Sequence, residues 1–205
     1  MMNKATVFLL LAVLQFKARA QQSHNAIYQL DVKKSKVQWD NRKTMGGHHG
    51  YMLFNSGTFS FAPRNIVWFG TFNINMNSMT ATDGDDAHNA VVKKKLRADN
   101  YFNMDKYPTA TMVVKQVEHA GSSTTYKITG DLTIKGITNP VTFNATLTEK
   151  GNTITATATT TIDRLKWHID MQAPNQPWNM FGAIQNKVTP DEILIKLDLV
   201  FVKTE

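Results

Sequence analysis

Arg164 is the residue whose setting first suggests chemistry. It follows Ile154, Ala156, Ala158, Thr160 and Ile162 and shares their parity, so it faces the same side at a strand end. A guanidinium turned toward an apolar interior is costly unless paired. Either it meets the polar head of a bound molecule, such as a pyrophosphate, carboxylate or quinone oxygen, or it pairs with a strand-end acid such as Asp99 or Asp163. His48 and His49 are adjacent, and on a strand they face opposite sides, so they do not readily share one metal ion. A satisfied turn histidine is the plain reading of His48.

Other reactive patterns are missing from the sequence. His24, His88, His119 and His168 lack ligand-like spacing, and there is no HExxH or paired-carboxylate pattern. Cysteine is absent, which removes thiolate ligands, Cys nucleophiles and disulfides. No G-x-S-x-G elbow occurs. Asp83-Gly84-Asp85-Asp86 resembles part of a calcium loop but lacks its length and terminal Glu, so it reads as a solvated turn. We therefore expect no catalytic residue, no metal and no cofactor. Lys93, Lys94, Lys95 and Arg97 form either a solvated helix face or a basic collar for a phosphate head or an anionic membrane surface.

The elements that position these residues are strands. Apolar and polar residues alternate with period two at Tyr126–Ile134, Val141–Leu147, Ile154–Ile162 and Ile193–Phe201, and again from Trp68 to Met76. Turn signals such as Ala120-Gly121-Ser122 and Lys150-Gly151-Asn152 separate the runs. Strands are expected at 36–43, 48–54, 57–62, 65–77, 110–118, 124–135, 140–149, 152–164 and 191–203. The second and third are readable as one strand bulged at Gly57. A helix is expected at 87–98, with Val91, Val92 and Leu96 as its apolar stripe. Residues 165–190, with three prolines, read as irregular, with a helical turn near Phe181. The fold class is all-β: an extended eight-stranded antiparallel barrel with one short helix, which buries each strand's apolar face and leaves no edges.

Several inward positions are small: Gly70, Ala110, Gly130, Ala145, Ala156, Ala158 and Thr160. They mark either tight corners or a hollow for one small ligand. In the hollow reading the wall comprises Met52, Trp68, Phe72, Ile74, Met76, Met112, Ile128, Leu132, Phe143, Ala156, Ala158, Ile162 and Leu197. Such a wall is apolar and, through its methionines, adaptable.

Composition sets the outer bounds. The 205 residues are 42% apolar and only 19% charged, which supports a packed domain and excludes a coiled coil or charged tail. Residues 1–20 read as an export signal: Lys4, an apolar run from Ala5 to Phe16, then Ala18-Arg19-Ala20, with cleavage before Gln21. That run is too short to span a bilayer, which takes about twenty residues. The signal carries Lys4, Lys17 and Arg19, so the formal charge of +7 falls by those three on cleavage. The remainder is no nucleic-acid footprint. Residues 21–205 form one domain, expected to be periplasmic or secreted.

Four stretches together resemble the YceI family of polyisoprenoid-binding, lipocalin-like proteins. They are Val37-Gln38-Trp39 with Gly46-Gly47-His48-His49-Gly50, then Leu96 to Phe102 leading to Tyr107-Pro108-Thr109-Ala110, then Gly130 to Val141, and Ile162-Asp163-Arg164. The third is the most specific, matching a G-x-L-T-x-x-G-x-T-x-P core. The fit loosens at 165–180. The resemblance implies a lipocalin-like barrel, a long isoprenoid or related amphiphile inside it, and export to the periplasm. It also places His48 at a recurring H-x-G position, where it would cap the cavity. It implies no catalytic mechanism.

The leading expectation is thus non-catalytic binding, transport or sequestration of an isoprenoid, isoprenoid quinone or similar lipid, with His48 and Arg164 as head-group candidates. The expected partners are the lipid and a transient membrane-surface contact, without nucleic acid, and the chain is a monomer or homodimer. Two alternatives stay open: an enzyme acting on such a lipid through His48 and Arg164, and a barrel with a solid core.

Overall fold

The computed structural model describes residues 26–41, 47–61, 69–121, 124–169, 180, 184 and 190–204. The expected export signal, Trp68 and the turn near Phe181 lie outside the described residues.

Among the described residues, nine strands form one antiparallel sheet: β1 (Ala26–Leu30), β2 (Lys36–Asp40), β3 (His49–Phe61), β4 (Phe69–Ala81), β5 (Thr109–His119), β6 (Thr125–Ile134), β7 (Ile137–Lys150), β8 (Thr153–Asp163) and β9 (Glu192–Lys203). Helix α1 (Asp86–Arg97) lies between β4 and β5, and a single 3-10 turn (Arg164–Trp167) follows β8. β1 and β2 both pair with β3 and with β9, one after the other along the same track. They are one interrupted strand, broken by a turn in which Asp31 accepts from the Lys33 and Lys34 amides. Nine strands therefore fill eight places, and this shared place closes the barrel.

Alternation survives folding intact where it was strongest. On β8, Thr155, Thr157, Thr159 and Thr161 are exposed, while Ile154 and Ala156 are buried. On β7, Thr142, Asn144, Thr146 and Thr148 face out. Three details differ from the sequence reading. β1 was not anticipated, because five residues ahead of a turn carry too short a pattern. β3 is continuous, and its bulge falls at Asn55, between the pairs Phe54–Ile74 and Ser56–Asn73, not at Gly57. β4 runs on to Ala81, and its parity changes on the way: residues 76–79 stand opposite the single Met52. Ser78 fills this irregularity, its hydroxyl accepting from the Leu53 amide at 2.8 Å and donating to the Asn75 carbonyl at 2.6 Å. The shift turns Met79 and Ala81 inward alongside Met76.

Helix α1 is capped by Asp85, whose side chain accepts from the His88 amide. It buries Val92 and Leu96, whereas Val91 is exposed, so the stripe is narrower than expected. Lys94 and Lys95 are solvated, and Arg97 bonds to Asp105 and to Asn77. The two-residue turn between β6 and β7 has Lys135 at φ 52° and Gly136 at φ 73°, the left-handed pair such a hairpin needs. Lys135 then donates to the carbonyls of Asp99 and His168, tying this turn to the segment after α1 and to the 3-10 turn.

Candidate functional site

The centre of the barrel is hollow. A cavity of about 370 Å³ lies inside, lined by residues of β2 to β9 together with Leu96, Tyr101, Phe102, Trp167 and Ile169. That is within the range of about 300–1,000 Å³ found for ligand sites. Inward side chains on one side, such as Phe54, Phe72, Met112 and Val114, are buried against their neighbours. On β7–β9 the inward Val141, Phe143, Ile162, Ile195, Leu197 and Leu199 stay partly exposed although they face the interior. Their free surface is the wall of the hollow.

Met52, Phe72, Ile74, Met76, Met112, Ile128, Leu132, Phe143, Ala156, Ala158, Ile162 and Leu197 all line this cavity, as does Arg164. The small inward residues divide into two kinds. Ala110, Ala145, Ala156, Ala158 and Thr160 line the hollow. Gly70 and Gly130 mark close approaches: a Cβ on Gly130 would lie 2.3 Å from the Val113 carbonyl oxygen, and one on Gly70 2.8 Å from that of Thr58.

The two ends of the cavity differ. At one end Phe59, Phe72 and Phe201 pack together, with ring centroids 5.6 Å and 5.9 Å from that of Phe201. At the other, where β8 ends beside the start of β9, stand Asn41, Tyr101, Asp163, Arg164 and Lys166. Trp39 pairs with Ile195 near this same end and lines the cavity. Its indole N–H is buried and has no hydrogen-bond partner among the described residues. Burial raises the pKa of Tyr101, with the nearby Arg164 charge partly opposing it.

Arg164 is buried and well provided for. Its Nε donates to the Pro190 carbonyl at 3.0 Å, Nη1 to the Ile169 carbonyl at 2.5 Å and Nη2 to Asp191 at 3.0 Å. Among the described residues the acid that pairs with it is Asp191, and neither Asp99 nor Asp163 is seen to do so. Asp163 instead caps the 3-10 turn through the Leu165 amide. His48 is not brought to the cavity. It is absent from the cavity lining, with Nδ1 2.7 Å from Asp83, so the pair considered for lipid chemistry is not assembled.

Sequence reasoning missed Trp39, Met79, Tyr101 and Trp167 as lining residues. Trp39 shares parity with Val37 and was readable from that alternation. Trp167 was not, since it enters from the 3-10 turn and is fixed by its own bond to the Leu132 carbonyl at 3.1 Å.

Known proteins share this architecture. A UPF0312 protein of Yersinia pestis is 31% identical over 155 residues, covering 74% of this chain and 76% of the relative. One from Yersinia enterocolitica is 30% identical with the same coverage. BcnA of Burkholderia cenocepacia superposes with a TM-score of 0.64 at 26% identity, over 83% of this chain and 98% of its own. A polyisoprenoid binding domain from Saccharophagus degradans, implicated in plant cell wall breakdown, shares the fold with a TM-score of 0.60 at 15% identity, over 86% and 98%. The family model for the YceI-like domain matches residues 28–201, and the chain belongs to that family.

Proposed function

We propose that this barrel binds a long apolar lipid of the isoprenoid class, without acting on it chemically, and carries or sequesters it outside the cytoplasm. The observation that carries this reading is the hollow itself: inward side chains of β7–β9 have surface that none of the described residues covers. A guest there removes apolar area from water on both sides. Each buried methylene contributes about 0.8 kcal/mol, so one prenyl unit offers roughly 3–4 kcal/mol before ordering costs. The likeness to a polyisoprenoid binding domain supports the lipid class. The export-like residues 1–20 support the location.

The asymmetry of the cavity supports an orientation. The tail lies toward Phe59, Phe72 and Phe201, and the head lies at the Trp39–Tyr101–Arg164 end. There the indole N–H is a buried donor without a partner among the described residues, while Arg164 contributes its field from a fixed position. Such a head is an oxygen acceptor: a phosphate, carboxylate or quinone oxygen.

Native mass spectrometry of the exported, tag-free protein tests the reading. We expect a co-purified lipid, or saturable uptake of prenyl lipids by the stripped protein. A stripped protein that takes up none of a panel of prenyl alcohols, phosphates and quinones would overturn it.

A further inference from the structure

His48, left out of the cavity, belongs to another cluster. Three residues distant in the chain converge beside α1, clear of the cavity lining: His48 ahead of β3, Asp83 after β4, and His88 in the first turn of α1. Asp83 Oδ2 lies 2.7 Å from His48 Nδ1 and 3.6 Å from His88 Nε2. All three donor atoms fall within 4.8 Å of one another, and the imidazole centroids are 5.4 Å apart. None of the three lines the cavity.

The cluster is held in place by its surroundings. Asn41 fixes His48 by accepting from its amide at 2.6 Å. Asp85 fixes the start of α1 by accepting from the His88 amide at 2.8 Å. Gly84 leaves room for the His88 ring to fold back over the loop, since a Cβ there would lie 2.5 Å from His88 Cδ2. Asp83 has a second oxygen, Oδ1, that is shut off from solvent and has no partner from another of the described residues. A buried carboxylate oxygen left in that state is costly, and a cation would relieve it.

We propose that His48, Asp83 and His88 form a binding site for a divalent transition-metal ion of the zinc type. Two imidazoles and one carboxylate suit Zn²⁺, Ni²⁺ or Cu²⁺ and disfavour Ca²⁺ and Mg²⁺, which want oxygen donors throughout. Tetrahedral bonds of about 2.0–2.1 Å place donor atoms about 3.3 Å apart. The His88–Asp83 spacing of 3.6 Å is close to that already. The His48–Asp83 contact of 2.7 Å must open slightly and give up its shared proton. Both histidines are partly solvent-exposed, so water completes the coordination. The ion would fasten the strand entering β3 to the first turn of α1. That helix packs on β4, buries Val92 and lines the cavity through Leu96. Lying outside the cavity, the ion acts as a staple and not on the guest.

The test is calorimetric titration of the tag-free mature chain, stripped with chelator, using Zn²⁺ alone, with the melting temperature followed in parallel. We expect one saturable site of micromolar affinity and a raised melting temperature. Binding should weaken at least tenfold in His88→Gln and in His48→Gln, and remain unchanged in His119→Gln at the far end of β5. Cobalt substitution should give the visible absorption of a four-coordinate site in the wild type and not in the two variants. No binding, binding that His88→Gln and His48→Gln leave intact, or a melting temperature that Zn²⁺ does not move would overturn the proposal.

Discussion

Arg164 and Asp191 meet across the junction of β8 and β9 on unequal terms: Nη2 is 3.0 Å from Oδ1, with the arginine side chain 3% exposed and the aspartate 59%. The cation is buried and the anion is solvated. Loss of either partner therefore has different consequences. Asp191→Ala leaves the buried guanidinium its carbonyl partners but removes this carboxylate, and should cost about 1–2 kcal/mol. Arg164→Ala strands the Pro190 and Ile169 carbonyls and empties a buried site, and should cost about 3 kcal/mol. Denaturant unfolding of the two variants side by side checks the ratio.

The two kinds of small inward residue give opposite outcomes when enlarged. Ala158 lines the hollow and is only half-buried, so Ala158→Phe should fill space that a guest would take. Lipid uptake should fall at least tenfold, with the melting temperature within a few degrees of wild type. Gly130→Ala adds only a methyl group, yet its Cβ collides with the Val113 backbone. It should destabilise by about 1–3 kcal/mol. Thermal melts combined with lipid-uptake assays separate a pocket-filling change from a fold-breaking one.

Much of this was legible in the chain because period-two alternation encodes both barrel closure and an inward face. The threonine-rich strand Thr153–Asp163 is the clearest instance: a shift of one residue would put its threonines inside. Illegible features were those in which one side chain reaches across the fold. The carboxylate of Asp191 that meets Arg164 lies 27 residues on, beyond residues 170–189. His48 and Asp83 are 35 residues apart, so ligand spacing along the chain cannot show their meeting. The inward turn of Met79 depends on Ser78 filling an irregularity in β4, which breaks the alternation used to read the strand.

Tyr101 links the cavity's polar end to alkaline stability. Its hydroxyl holds its proton more tightly than usual because burial disfavours the phenolate, with the Arg164 charge only partly offsetting this. The unfolded chain ionises its tyrosines near pH 10. Stability from this group is therefore intact below about pH 10 and is lost as pH rises through the higher folded-state value. Tyr101→Phe should flatten the fall in melting temperature between about pH 9.5 and 11. Spectrophotometric titration of the phenolate band should lose one late-ionising tyrosine.

Trp39 offers the sharpest division between stability and recognition. Its indole N–H is buried beside the cavity without a partner among the described residues. Trp39→Phe removes that donor while keeping an aromatic ring in place. The variant should lose about 1–2 kcal/mol at most, chiefly from reduced packing volume. Its effect on binding depends on the guest. A prenyl phosphate or quinone, with an oxygen at the Arg164 end, should bind several-fold more weakly, because one neutral hydrogen bond is worth about 1 kcal/mol net. A prenyl hydrocarbon without a head should bind as in the wild type. Parallel titrations of the two lipids into wild type and variant measure that difference, and equal loss for both would place the head elsewhere.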